Sequence, residues 1–186
     1  LGTWFIDDAN AAEAVKAAAK LGYRHFDTAQ AYGNERGVGE GVRSCGVARE
    51  ELFVVSKVAA EHKTYEAAKA SIDATLQKMG LDYLDMMIIH SPQPWDKVNQ
   101  CEDRYVEGNR AAWRALEEAY KEGKLRAIGV SNFQIGDLNS LLEGCTVKPM
   151  VNQILLHISN TPLELVEFCQ NNGIAVEAYS PIAHGE

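Results

Sequence analysis

Short apolar runs alternate with longer amphipathic stretches along the whole chain, and this alternation narrows the fold more than any other feature. The runs are HFDT (25–28), LFVVSK (52–57), LDMMIIH (84–90), RAIGVSN (126–132), MVNQILL (150–156) and IAVEAYS (174–180), and each reads as a strand. Between them, AAEAVKAAAKLG, YEAAKASIDATLQKMG and RAAWRALEEAYKEGK place apolar residues at three- and four-residue steps, the period of a helix with one face on a core. Gly22, Gly46, Gly80, Gly123, Gly144 and Gly173 stand where helices should stop, each suited to a left-handed cap. Thr161-Pro162-Leu163-Glu164 has the form of a capping box with proline in the first helical position, so a helix is expected to start there. The unbroken runs MMII and LFVV suit strands covered on both faces, as in a parallel sheet.

Strand–helix alternation is compatible with a doubly wound sheet or a (β/α)8 TIM barrel. No G-x-G-x-x-G follows the first strand, as a dinucleotide-binding doubly wound sheet would require. Polar residues instead close many strands: Asp27, Lys57, His90, Ser131, Asn132, Gln153, Tyr179 and Ser180. A barrel gathers all its strand ends at one mouth, where such residues can act together, whereas an open sheet spreads them along an edge. The expected fold is therefore an α/β barrel forming a single domain over residues 1–186. Counting a short first strand at 2–5, the sequence supplies seven strands. A complete barrel takes eight over about 250 residues. The eighth βα unit is expected to be missing, leaving the domain C-terminally incomplete.

A net charge of −8 argues against a nucleic-acid backbone or an anionic membrane as partner. No run of 18 apolar residues is present to span a bilayer. The partner is expected to be a small molecule, with the oligomeric state left open. Cys45, Cys101, Cys145 and Cys169 are widely spaced and read as free packing thiols, which makes a cytoplasmic location the default. His25, His62, His157 and His184 share no metal-ligand spacing and read as structural or solvent-facing, so no metal site is expected.

Three strand-end residues and a tyrosine in the stretch after the first of them suggest chemistry when taken together. Lys57 closes a buried strand and must direct its ammonium into the mouth, where Asp27 is a natural counter-ion. Tyr32 follows Asp27 by five residues, and a phenol beside that ammonium should have its pKa lowered from about 10. Tyr32 is thereby a candidate general acid. His90 can donate a hydrogen bond to a bound oxygen and orient it. Taken singly, Asp27 reads as a turn former, Tyr32 as a surface aromatic, Lys57 as a solvated charge and His90 as a structural imidazole. Ser131–Asn132 could cap a helix and Gln153 could satisfy a buried hydrogen bond. The charged residues around 117–126 read as a solvated helix face. Joint placement at successive strand ends is what favours a site.

FDTAQAYGNE, followed in order by VVSK, IIH, IGVSNF, VNQI and EAYSP, resembles the aldo-keto reductase superfamily over nearly the whole chain. The resemblance implies a (β/α)8 barrel that reduces aldehydes or ketones with a nicotinamide cofactor, usually NADPH, with NADH as the other option. It implies that Asp27, Tyr32, Lys57 and His90 form the catalytic set, with Tyr32 the proton donor. By the same resemblance Ser131, Asn132 and Gln153 hold the carboxamide of the nicotinamide, Tyr179 stacks beneath its ring and Ser180 contacts the pyrophosphate. Trp4 corresponds to an aromatic wall of the substrate pocket, and Trp95, in the loop after His90, is a second candidate. The motifs are most similar to bacterial members acting on small aldehydes, ketones and keto-sugars. The chain departs from many members in reading His90-Ser91-Pro92 where they have His-Trp-Pro. Two other readings stand beside the reductase: a Schiff-base lyase using Lys57, and a non-catalytic cofactor-binding scaffold.

Overall fold

A computed structural model describes residues 1–98 and 100–183, so the reading of His184 falls outside the described residues. Six parallel strands are present among them: β1 (His25–Asp27), β2 (Phe53–Val58), β3 (Met86–Ile89), β4 (Ile128–Ser131), β5 (Val151–Leu155) and β6 (Ala175–Tyr179). The helices are α1 (Asp8–Lys20), α2 (Glu35–Ser44), α3 (Tyr65–Met79), α4 (Val106–Lys121), α5 (Ile135–Leu142) and α6 (Leu163–Asn171). Strand order in space equals order in sequence. Every crossover therefore steps to the next neighbour in one direction, which rules out a doubly wound sheet, whose order reverses at a switch point.

The sheet is also rolled. With neighbouring strands about 4.8 Å apart, β1 and β6 would lie about 24 Å apart in a flat sheet. Yet His25 Nε2 on β1 lies 3.6 Å from Glu177 Oε1 on β6. Gln153 Nε2 on β5 likewise reaches Asp27 Oδ2 at 3.0 Å. The molecule is an arc of a parallel barrel with those side chains on its concave face.

Alternation along the strands divides the core accordingly. Val54, Val58, Met87, Ile89, Ile128 and Val130 pack outward with Ile72, Trp113 and Leu116 of the helices. Val55, Met86 and Ile88 point the other way and form a small inner cluster with Ala127 and Val151. Lys57 shares the parity of Val55, so the strand period itself carries its ammonium inside. Helix α2 carries glycines at 37, 39 and 41, each unfavourable in a helix by roughly 1 kcal/mol against alanine. Close packing explains them. A Cβ on Gly39 would sit 2.2 Å from Met79 O, and one on Gly37 would sit 2.2 Å from Asp8 O.

Several local expectations are corrected. Residues 2–5 contribute a single bridge, Gly2 to Asp27, rather than a strand, because the chain turns at Phe5, whose φ is 65°. Helix α6 starts near the expected place, but Pro162 is its cap, with no side-chain capping bond. Gly22, Gly46, Gly80, Gly123 and Gly173 all adopt positive φ, whereas Gly144 does not. Glu117 is buried rather than solvated, accepting from the backbone N–H groups of Thr146 (2.6 Å) and Val147 (2.7 Å). Of the cysteines, Cys169 is in the core and Cys101 is exposed. No helix among the described residues is long and apolar enough to cross a membrane.

At the opposite end from the strand C-termini, buried Asp85 accepts from Val54 N at 2.9 Å and pairs with Arg49 (2.7 Å) and Arg126 (3.3 Å). Both guanidinium groups also lie over the Tyr83 ring, 4.1 and 4.0 Å from its centroid. Removing the carboxylate leaves two cations and a strand N–H unpaired. Asp85→Ala is expected to lower stability by about 3 kcal/mol without altering the chemistry of the mouth, checked by chemical denaturation alongside turnover.

Candidate active site

Lys57 is the centre of the mouth. Its side chain is 1% exposed, and its ammonium donates to Asp27 Oδ1 at 2.5 Å and to Thr28 O at 2.9 Å. Burial pushes the Lys57 pKa down, and Asp27 opposes that shift. The second oxygen of Asp27 accepts from Gln153. The ammonium also lies 4.9 Å from the centroid of the Tyr32 ring. His90 meets Tyr32 edge-on, with ring centroids 5.6 Å apart. Asp27, Tyr32, Lys57 and His90 are thus brought together from β1, the turn after it, β2 and the end of β3.

The electrostatics differ from the expectation in one respect. Burial pushes the Tyr32 phenol up, and the charges of Asp27 and Tyr179 act in the same sense. The lowering expected from Lys57 is not seen: burial of the phenol is the largest influence, and the Asp27 charge adds to it. Tyr32 therefore keeps its proton through neutral pH. His90 moves the opposite way: burial, then the Lys57 charge, lower its pKa to about 3, so the ring is neutral. Its Nδ1 is buried and has no hydrogen-bond partner among the described residues.

A second chain of contacts joins the remaining strand ends. Ser131 Oγ donates to Gln153 O at 2.8 Å. Asn132 Nδ2 donates to Ser131 Oγ at 3.1 Å and to His90 O at 3.0 Å. Tyr179 OH donates to Asn132 Oδ1 at 2.8 Å. Asn132 and Ser180 both adopt positive φ, 62° and 50°, a conformation side chains avoid and that recurs where backbone is fixed for function. Trp4 lies 6.5 Å from the Tyr32 ring, inclined by 28°, and Trp95 meets His90 edge-on at 4.9 Å. Both indoles stay about half exposed. The hydroxyl and amides of Ser131, Asn132 and Gln153 are the donors and acceptors a carboxamide pairs with, and the Tyr179 ring offers a flat face beside them. These residues fit a nicotinamide. Among the described residues no group of His, Cys, Asp or Glu could hold a metal ion.

Two residues that aim Tyr32 carry no functional signal in the sequence. Gln30, two positions before it, donates to Ser71 O and Thr75 Oγ1 at 3.1 Å and accepts from Ala59 N at 2.8 Å. Asn34, two positions after it, donates to Thr3 O and Ile6 O at 2.8 Å and accepts from Thr28 Oγ1 at 2.6 Å. Tyr32 is thus held on both sides, with Gly33 at φ 70° closing the turn. A Gly-Asn pair signals only a turn, so nothing local separates Asn34 from an ordinary loop residue.

The His90 shift has a testable sign. The folded ring stays neutral down to about pH 3, while an unfolded histidine takes up its proton near pH 6.5. Between those values the unfolded state binds more protons, so this contribution is complete above pH 6.5 and is lost as pH falls toward 3. His90→Gln is expected to flatten the acid side of the stability profile by up to about 1.4 kcal/mol per pH unit, read from denaturation midpoints between pH 6.5 and 4.

The aldo/keto reductase family model matches residues 1–186. The chain is 47% identical over 187 residues to a glyoxal reductase of Bacillus subtilis, covering 100% of this chain and 63% of that protein. It superposes on the crystal structure of an aldo/keto reductase from Brucella melitensis with a TM-score of 0.90 and 38% identity, covering 98% of this chain and 67% of the other. An aldo-keto reductase of Bombyx mori, solved in complex with NADP, gives a TM-score of 0.82 at 34% identity, with 97% and 61% covered. The rolled parallel sheet is thus part of a (β/α)8 barrel. With a family match along its whole length and close likeness to these proteins, the chain belongs to the aldo/keto reductase family.

Proposed function

We propose that this chain belongs to an enzyme that reduces an aldehyde or ketone to an alcohol with a nicotinamide cofactor. One observation carries the reading. A nearly inaccessible ammonium, Lys57, is held between a carboxylate and the face of a phenol, with a neutral imidazole edge-on to the same phenol. That arrangement suits delivery of a proton to a carbonyl oxygen. His90, neutral at any pH near 7, hydrogen-bonds the oxygen and orients it without competing as an acid. Tyr32, still protonated, donates to the oxygen as it becomes an alkoxide, a far stronger base than a phenolate. Lys57 then stabilises the phenolate left behind, its own charge maintained by Asp27.

A bound nicotinamide supplies the hydride that adds to the carbonyl carbon. Ser131, Asn132 and Gln153 would hold its carboxamide, Tyr179 would lie against its ring and Ser180 would meet the pyrophosphate. The NADP bound by the silkworm relative favours NADPH over NADH. Trp4 and Trp95 would form the walls that receive the substrate. A small aldehyde suits this mouth, in line with the glyoxal reductase to which the chain is similar. Location in the cytoplasm remains the default of a chain with four free thiols.

The Schiff-base lyase is disfavoured by the same geometry, since Lys57 is committed to Asp27 and Thr28. Tyr32→Phe in the full-length protein is expected to cut aldehyde-dependent NADPH oxidation by about 10²–10⁴-fold while leaving NADPH binding intact. Normal turnover in that variant would end the assignment. Borohydride is expected to trap no substrate on Lys57; a trapped adduct would support the lyase. NADPH binding with no turnover of any carbonyl would instead support a scaffold.

A further inference from the structure

The segment leaving β3 carries His90 and then Trp95, and its path decides where both rings lie. Its three successive carbonyls are held by side chains from three different elements. His90 O accepts from Asn132, beyond β4. Ser91 O accepts from Lys63 Nζ at 2.8 Å, from the loop between β2 and α3. Pro92 O accepts from Asn109 Nδ2 at 3.0 Å, on α4. Lys63 also donates to Asn109 Oδ1 at 2.7 Å, which ties the second and third of these contacts together. Asn109 Nδ2 further donates to Arg104 O at 3.0 Å, at the far end of the same loop. Trp95 N donates to Glu61 Oε1 at 3.2 Å, two residues before Lys63.

Lys63 is costly where it stands. Among the described residues no carboxylate forms an ion pair with it; both of its hydrogen bonds go to neutral oxygens. The charged groups around it are Glu61 on its own loop, Asp137 on α5 and Arg104 ahead of α4. Burial lowers its pKa to about 7, with Glu61 and Asp137 opposing the shift. Lys63 is half-buried, and an ammonium withdrawn from water without a counter-ion is unfavourable. An apolar residue would fill the space more cheaply but could not hold Ser91 O.

We propose that Lys63 is a positioning residue for carbonyl reduction: through Ser91 O and Asn109 it sets the path of residues 90–95, and hence the seat of His90 beside Tyr32 and of Trp95 beside His90. The inference rests on the reductase reading for its kinetic consequence, but the placement of His90 can be observed without turnover.

Two variants of the full-length protein and one titration test it. Lys63→Met, which keeps the aliphatic stem and loses the donors, is expected to slow single-turnover carbonyl reduction by about 10- to 100-fold with the Kd for NADPH unchanged. Lys63→Arg, which keeps donors, is expected to restore part of that loss. In the NMR spectrum Lys63→Met should move the His90 imidazole resonances and leave those of His25 and His157 in place. In the unmodified protein, where folding is not in question, the His90 resonances should move as Lys63 titrates. Its bond to Ser91 then loses charge assistance, while His90 itself stays neutral. Stationary His90 resonances through that titration would overturn the proposal. So would an unchanged single-turnover rate in Lys63→Met, or losses spread equally over NADPH binding and all histidine signals. Should the unmodified protein reduce no carbonyl, the reductase reading fails, and the His90 resonances decide the positioning role alone.

Discussion

The ion pair between Lys57 and Asp27 is the contact on which the rest of the mouth depends. Taking an ammonium out of water costs several kcal/mol unless excellent partners meet it. Lys57 finds them in Asp27 and the carbonyl of Thr28, both at the end of β1. Asp27 in turn spans the concave face to Gln153 on β5. One carboxylate therefore links β1, β2 and β5 on the inside of the roll, and the curvature that lets it do so is the curvature of a barrel. Burying the phenol beside that carboxylate also has a chemical consequence. Tyr32 is not acidified in the resting site, and its proton is released only to a strong base.

The two reacting groups are supported by separate networks. Tyr32 rides on a turn held by Gln30 from α3 and the β2 end, and by Asn34 from the segment before α1. His90 rides on a loop held by Asn132, Lys63 and Asn109. Nothing in either network repeats in the other, so the edge-on meeting of the two rings is a product of two independently fixed backbones. The division between ends of the barrel is equally clear. The cluster of Asp85, Arg49, Arg126 and Tyr83 ties strands and loops at the N-terminal end, where stability is served. The left-handed residues Asn132 and Ser180 lie at the C-terminal end, beyond β4 and β6.

Much of the candidate site was legible because strand period and strand end are local properties. A polar residue closing an apolar run, as Lys57 closes LFVVSK, must face either solvent or a mouth, and several such residues at successive strands favour the mouth. The motifs around Asp27, His90 and Gln153 then carried the family. The residues 2–5 and Pro162 misled because a turn at Phe5 and an unassisted cap leave the same residue pattern as a strand and a capping box. Glu117 misled because a carboxylate on a helix looks solvated until another segment brings its N–H groups to it.

Alternation of strands and helices, their polarity and the list of strand-end residues were determined by the sequence alone, since each depends on neighbours a few positions away. Only the tertiary structure decided how far the sheet rolls, that burial and Asp27 raise the Tyr32 pKa where Lys57 alone would lower it, and that Lys63 and Asn109 hold the loop of His90. Those outcomes depend on groups from 17 to 126 residues apart. Burial and distance, which set the field and the hydrogen bonds at the mouth, do not exist until the chain has closed on itself.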